Sequence, residues 1–111
     1  MKEFEKILSG SDLRSIGESN FAILKIKNQN DFDELFKYLF YADRLLVMRA
    51  ADAIEKITIN NPQYLTKYKK EIIQLCDVAK DKELKWHLAL LIPRLNLKNM
   101  EFENAWDKLN M

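Results

Sequence analysis

Apolar side chains recur along this chain at helical spacing, in stripes separated by short polar breaks. From residue 30 onward the pattern is clearest. Phe32, Leu35, Phe36, Leu39 and Phe40 fall at i, i+3, i+4, i+7 spacing and predict one amphipathic helix, with Asn30 or Asp31 as its cap. A break near Ala42 precedes Asp43, a good N-cap, and the next stripe runs to about Ile59. Asn60-Asn61-Pro62 punctuates the chain: two residues tolerant of turns, then a proline suited to a first helical turn. A helix from Gln63 to about Ala79 is expected to bury Tyr64, Leu65, Tyr68, Ile72, Leu75 and Cys76. Asp81 opens the following helix, and Pro93 should bend or end its last turn by removing a backbone donor. After Asn96 and Asn99 a final helix carries Phe102, Ala105, Trp106 and Leu109.

The first 29 residues are less regular. Phe4, Ile7 and Leu8 suit a short helix over 2–8, which Gly10 ends. Leu13 to Ile16 suits a further turn before Gly17. The segment 21–26 is apolar and rich in β-branched residues, so its own period is ambiguous; its helical surroundings favour helix. The count is about seven helices, and the fold class is all-α.

These stripes repeat. Residues 43–57 return 38 positions later as residues 81–95, so that Asp43 falls on Asp81, Leu46 on Leu84, Ala51 on Ala89, Ile54 on Ile92 and Ile57 on Leu95. The preceding helices recur too: Leu35, Phe36 and Leu39 align with Ile72, Ile73 and Cys76 at an offset of 37. Phe32 to Leu39 likewise matches Phe102 to Leu109 in its aromatic, apolar and final Leu positions. A two-helix period of 37–38 residues is what an α-α superhelix needs, because each pair buries its face only by stacking on its neighbours. The predicted organisation is one domain over 1–111. It has an irregular unit (1–29), two repeats (30–60 and 61–97) and a final unpaired helix (99–110).

The repeated residues resemble HEAT repeats. That pattern has an Asp near the start of the second helix, an Arg six residues later after an apolar residue, then small residues before the last apolar turn. Asp43, Arg49, Ala50, Ala53 and Ile54 supply it, whereas the second copy keeps Asp81 and carries His87 where the pattern has Arg. More narrowly, the chain resembles a group of small prokaryotic HEAT-like proteins of unassigned function. The matching stretches are Arg14 to Ser19, Met48 to Ile57, Pro62 to Leu65, Lys82 to Ala89 and Pro93 to Leu95. Members of that group continue for another helix or more, so this chain reads as a short or truncated version. The resemblance implies that Asp43, Arg49, Asp81 and His87 build the repeat by bonding neighbouring turns. It also implies that exposed residues of the second helices form the binding face: Asp52, Glu55, Lys56, Lys85, Trp86 and Arg94.

Composition narrows the function without naming it. The chain has 111 residues, 48% of them hydrophobic, with two glycines and two prolines; one domain with an ample core is implied, and a turn-rich β fold is not. Eighteen basic and seventeen acidic residues leave a net charge of +1, without strong polarisation of either half. That balance weighs against a phosphate-binding surface, which must neutralise several charges. Nucleic-acid binding, as in the HEAT-like alkylated-DNA glycosylases, stays as the alternative reading. Met1 to Leu8 carries charges throughout and lacks the apolar core of a signal segment. The run Leu88 to Ile92 is far too short to span a bilayer, so a soluble cytoplasmic protein with no membrane partner is expected.

Candidate chemistry is sparse. No Gly-rich phosphate loop, metal-ligand spacing or nucleophile motif occurs, and neither a catalytic role nor a cofactor is expected. Cys76 is the single cysteine and sits on a core stripe, which favours an inert thiol. His87, the single histidine, has no Ser or Cys beside it in sequence, and its register favours a structural hydrogen bond, with Asp81 the candidate partner. Trp86 aligns with Met48, and serves either as an interface anchor or as a gap filler between helices. The basic run Lys67-Tyr-Lys-Lys70 reads as a solvated helix face. The expected function is a non-catalytic scaffold for a protein or peptide partner. A homodimer through Phe102, Ala105, Trp106 and Leu109 is a further option.

Overall fold

The computed structural model describes residues 23, 25–95 and 99–109. The helices predicted over 2–8 and 13–16 lie outside them, as does most of the one predicted over 21–26, where Ile23 is helical and Lys25 already stands in a turn. The described residues are helical and contain no strand. Among the described residues five α-helices can be delimited: α1 (Gln29–Phe36), α2 (Arg44–Asn60), α3 (Lys69–Val78), α4 (Lys82–Leu91) and α5 (Asn99–Leu109). Three stretches of tighter 3-10 helix join them, at Lys37–Phe40, Pro62–Tyr68 and Ile92–Leu95. The chain divides into two units, Met1–Ile57 and Thr58–Met111.

In the first unit, α1 starts two residues earlier than the apolar stripe suggested. Asn28, not Asn30 or Asp31, is the N-cap, and its side-chain oxygen accepts the Asp31 N–H at 2.9 Å. Asp31 reaches back in turn, its Oδ2 accepting the Lys27 N–H at 3.0 Å. Two backbone donors at the helix start, those of Asp31 and Lys27, are thereby satisfied by side chains three residues apart.

Phe32, Leu35, Phe36 and Leu39 are buried as the stripe predicts, but Phe40 is 52% exposed and Tyr38 is buried in its stead. The cause is the 3-10 winding of Lys37–Phe40, closed by the Tyr41 N–H to Tyr38 C=O bond. Three residues per turn instead of 3.6 rotate each successive side chain about 20° further, or roughly 80° by Phe40. Leu39 stays in phase with Phe36, and Phe40 leaves the core. The Tyr38 ring instead packs on Tyr41, with centroids 4.6 Å apart.

Asp43 starts α2 as expected: its Oδ1 accepts the Leu45 N–H at 2.9 Å, and its carbonyl takes the Val47 N–H. Arg44 and Leu45 are exposed at the start of α2, but Leu46 through Ala51 are all buried, so the helix is covered on every side over those six residues. Ala50, Ala51 and Ala53, each essentially inaccessible, keep that part of the helix thin enough for close packing. Farther along, burial narrows to Ala53, Ile54, Ile57 and Thr58, and Asp52, Glu55, Lys56 and Ile59 turn toward solvent.

The second unit begins at the end of α2. Asn60 ends that helix, and Pro62 stands at the first turn of the 3-10 stretch Pro62–Tyr68, as its missing N–H and fixed φ favour. The single helix expected over 63–79 is instead that 3-10 stretch with α3 after it. In the tighter winding residues three apart eclipse, so Leu65 and Tyr68 stack on one side, Leu65 fully buried and Tyr68 half-buried. Ile72, Leu75 and Cys76 continue the buried face through α3. Asp81 caps α4 as expected, and α4 gives way at Leu91 to the 3-10 turn Ile92–Leu95 around Pro93. α3 packs against α5 and α4, and α5 also meets α4 and that 3-10 turn. Full burial of side chains such as Ile72, Leu88 and Ile92 stabilises the unit by about 1.5–3 kcal/mol each.

Candidate functional site

The repeated motif provides the frame on which the candidate residues sit. Asp43 and Asp81 perform the same task 38 residues apart: each carboxylate accepts the backbone N–H two residues on, from Leu45 and Glu83. Asp81 also accepts the Leu84 N–H at 3.2 Å. A carboxylate there satisfies orphan donors and meets the positive end of the helix dipole. Leu46 and Leu84, Ala51 and Ala89, Ile54 and Ile92, and Ile57 and Leu95 are buried in both copies. The motif positions shared by sequence are therefore shared by environment.

On α2, Asp52, Glu55 and Lys56 are brought together on one helical face, each half-buried. Lys56 Nζ lies 2.9 Å from Asp52 Oδ2, an i, i+4 ion pair whose side chains keep about a third of their surface in water. Exposed pairs of this kind add at most about 1 kcal/mol and impose little rigidity. Arg49 precedes Asp52 by three residues and Lys56 by seven, on the same side of the helix, but lies inside. It is 2% exposed, the one buried side chain with a formal charge among the described residues. A guanidinium is buried only within a polar framework, so Arg49 belongs to the interior and not to a partner-facing surface.

On α4, Trp86 is 57% exposed, with Lys82 and Glu83 exposed beside it and Lys85 half-buried. Lys82 precedes Trp86 by one helical turn, so an ammonium and a large flat apolar surface share one side of the helix. His87, the next residue, is half-buried. The equivalent of Trp86 in the first copy, Met48, is 7% exposed. Of the two roles open to Trp86 from sequence, a gap filler between helices does not describe a ring that shows more than half of its surface.

Arg94 has a second engagement. In the 3-10 turn after α4 its Nη1 donates to Thr58 Oγ1 at 2.9 Å, spanning 36 residues within the second unit. Thr58 is completely buried, and a buried hydroxyl requires such a partner. Thr58 was legible as a buried position, since it falls seven residues after Ala51 on the same stripe. Its bond to Arg94 had no sequence signal.

The other candidate side chains offer little reactive chemistry. Cys76 is buried, and its desolvation pushes the thiol up to about 11, against a smaller lowering by the Lys108 ammonium. At neutral pH it is a protonated, apolar-like side chain and not a nucleophile. Lys37 is exposed and is held above the usual lysine range chiefly by its hydrogen bond with Glu34, whose Oε2 lies 2.7 Å away. Lys67, in the basic run, lies over the Tyr68 ring at 5.4 Å, with Tyr68 half-buried and Lys67 and Lys70 exposed.

In α5, Ala105 and Leu109 are fully buried and Trp106 keeps 36% exposure; the Phe102 side chain lies outside the described residues. Of the four residues considered for a homodimer, two are thus already engaged in the chain's own core. Among the described residues, no helix is long and apolar enough to cross a membrane. The chain matches no family model, no curated protein and no solved structure.

Proposed function

We propose that this chain is a HEAT-like α-α superhelix that acts, in the cytoplasm, as a non-catalytic scaffold for a protein or peptide partner. The shared burial of Leu46 and Leu84, Ala51 and Ala89, Ile54 and Ile92, and Ile57 and Leu95, with an Asp cap at the start of each copy, supports the repeat reading. The observation that carries the functional reading is Trp86: 57% exposed on α4, where the other copy of the motif buries Met48. An exposed Trp flanked by charged side chains has the make-up of an interface anchor, apolar at the centre and polar at the rim. On α2, Asp52, Glu55 and Lys56 form the variable surface of the first copy, at positions that the second fills with Leu90, Pro93 and Arg94.

The test is affinity purification from the source cell with wild type and Trp86→Ala in parallel, after both show the same circular dichroism and denaturation midpoint. Loss of a specifically retained protein by at least tenfold, which corresponds to about 1.4 kcal/mol, is the expected result. A partner retained at full affinity by Trp86→Ala would remove this face from the proposal.

A further inference from the structure

We draw no further inference here: the strongest candidate, the exposed apolar corner of Phe40, Tyr41 and Leu45 between α1 and the start of α2, carries nothing because nothing in the structure shows what covers it.

Discussion

Residues 43–57 and 81–95 carry one motif 38 residues apart, and the fold uses the two copies differently. In the first, an unbroken helix of 17 residues is covered on all sides from Leu46 to Ala51, with Met48 and Arg49 inside. In the second, ten α-helical residues and a 3-10 turn around Pro93 leave Trp86 in water. Bulk explains part of this. Where the first copy has Ala50 and Ala53, the second has Leu88 and Leu91, so its buried side is filled by larger groups. Construction therefore resides in the positions the copies share, and individuality in those where they part.

The largest expected effect separates Met48 from Trp86. Met48→Ala should destabilise the protein by about 2–5 kcal/mol, since it removes a buried side chain from a packed region. Trp86→Ala should cost less than about 1 kcal/mol, as for most surface substitutions. Urea unfolding of the two variants measures the contrast; equal losses would break the distinction between a constructional and a partner-facing position.

A second contrast sets Arg94 against its register equivalent Lys56. Arg94→Ala withdraws a charged donor from the buried Thr58 hydroxyl and should cost about 1–3 kcal/mol. Lys56→Ala breaks only a half-exposed ion pair, at no more than about 1 kcal/mol. A double-mutant cycle with Thr58→Val sharpens this, because coupling near zero would mean the Arg94 bond contributes nothing to stability.

The two caps should differ less. Asp43→Ala and Asp81→Ala should each cost about 0.5–2 kcal/mol, with Asp81 the larger because it holds two backbone donors where Asp43 is seen to hold one. Thermal unfolding of the pair ranks them, and the reverse order would contradict the capping geometry.

The last contrast shows itself only at alkaline pH. Folding raises the Cys76 pKa from 9.0 to about 11, so the fold favours the neutral thiol. That stabilising contribution is whole below about pH 9 and is lost as pH rises toward 11. The stability difference between wild type and Cys76→Ala should therefore be constant to about pH 9 and then shrink. A difference that stays flat to pH 11 would show that the thiol is not desolvated as described. Native protein should also react slowly with a thiol reagent at neutral pH, and quickly once unfolded.

Much of the helical plan was legible because each helix announces its own ends and buried side. Asp43 and Asp81 are caps by local chemistry, and Asn60-Asn61-Pro62 stops one helix and starts the next without distant help. The misjudged positions are those where winding changed. Phe40 and Tyr38 exchanged roles because a 3-10 turn breaks the 3.6 period on which stripe reading depends. Asn28 gave no clear cap signal because the first apolar residue of the stripe lies four positions later, at Phe32. Of the candidate site, the grouping of Asp52, Glu55 and Lys56 on one face could be read from spacing alone. The exposure of Trp86 could not, since its register equivalent is buried.

By itself, the sequence determined the helical class, the breaks between helices, the two capping aspartates and the recurring buried positions. All of these depend on side-chain period and on backbone chemistry within a few residues. Only the tertiary structure decided which shared register positions diverge: Met48 inside and Trp86 outside, Arg49 buried, and Arg94 bonded to Thr58 across 36 residues. Those outcomes depend on how much volume neighbouring elements occupy and which distant atoms they bring within hydrogen-bond reach, and a one-dimensional pattern does not contain that information.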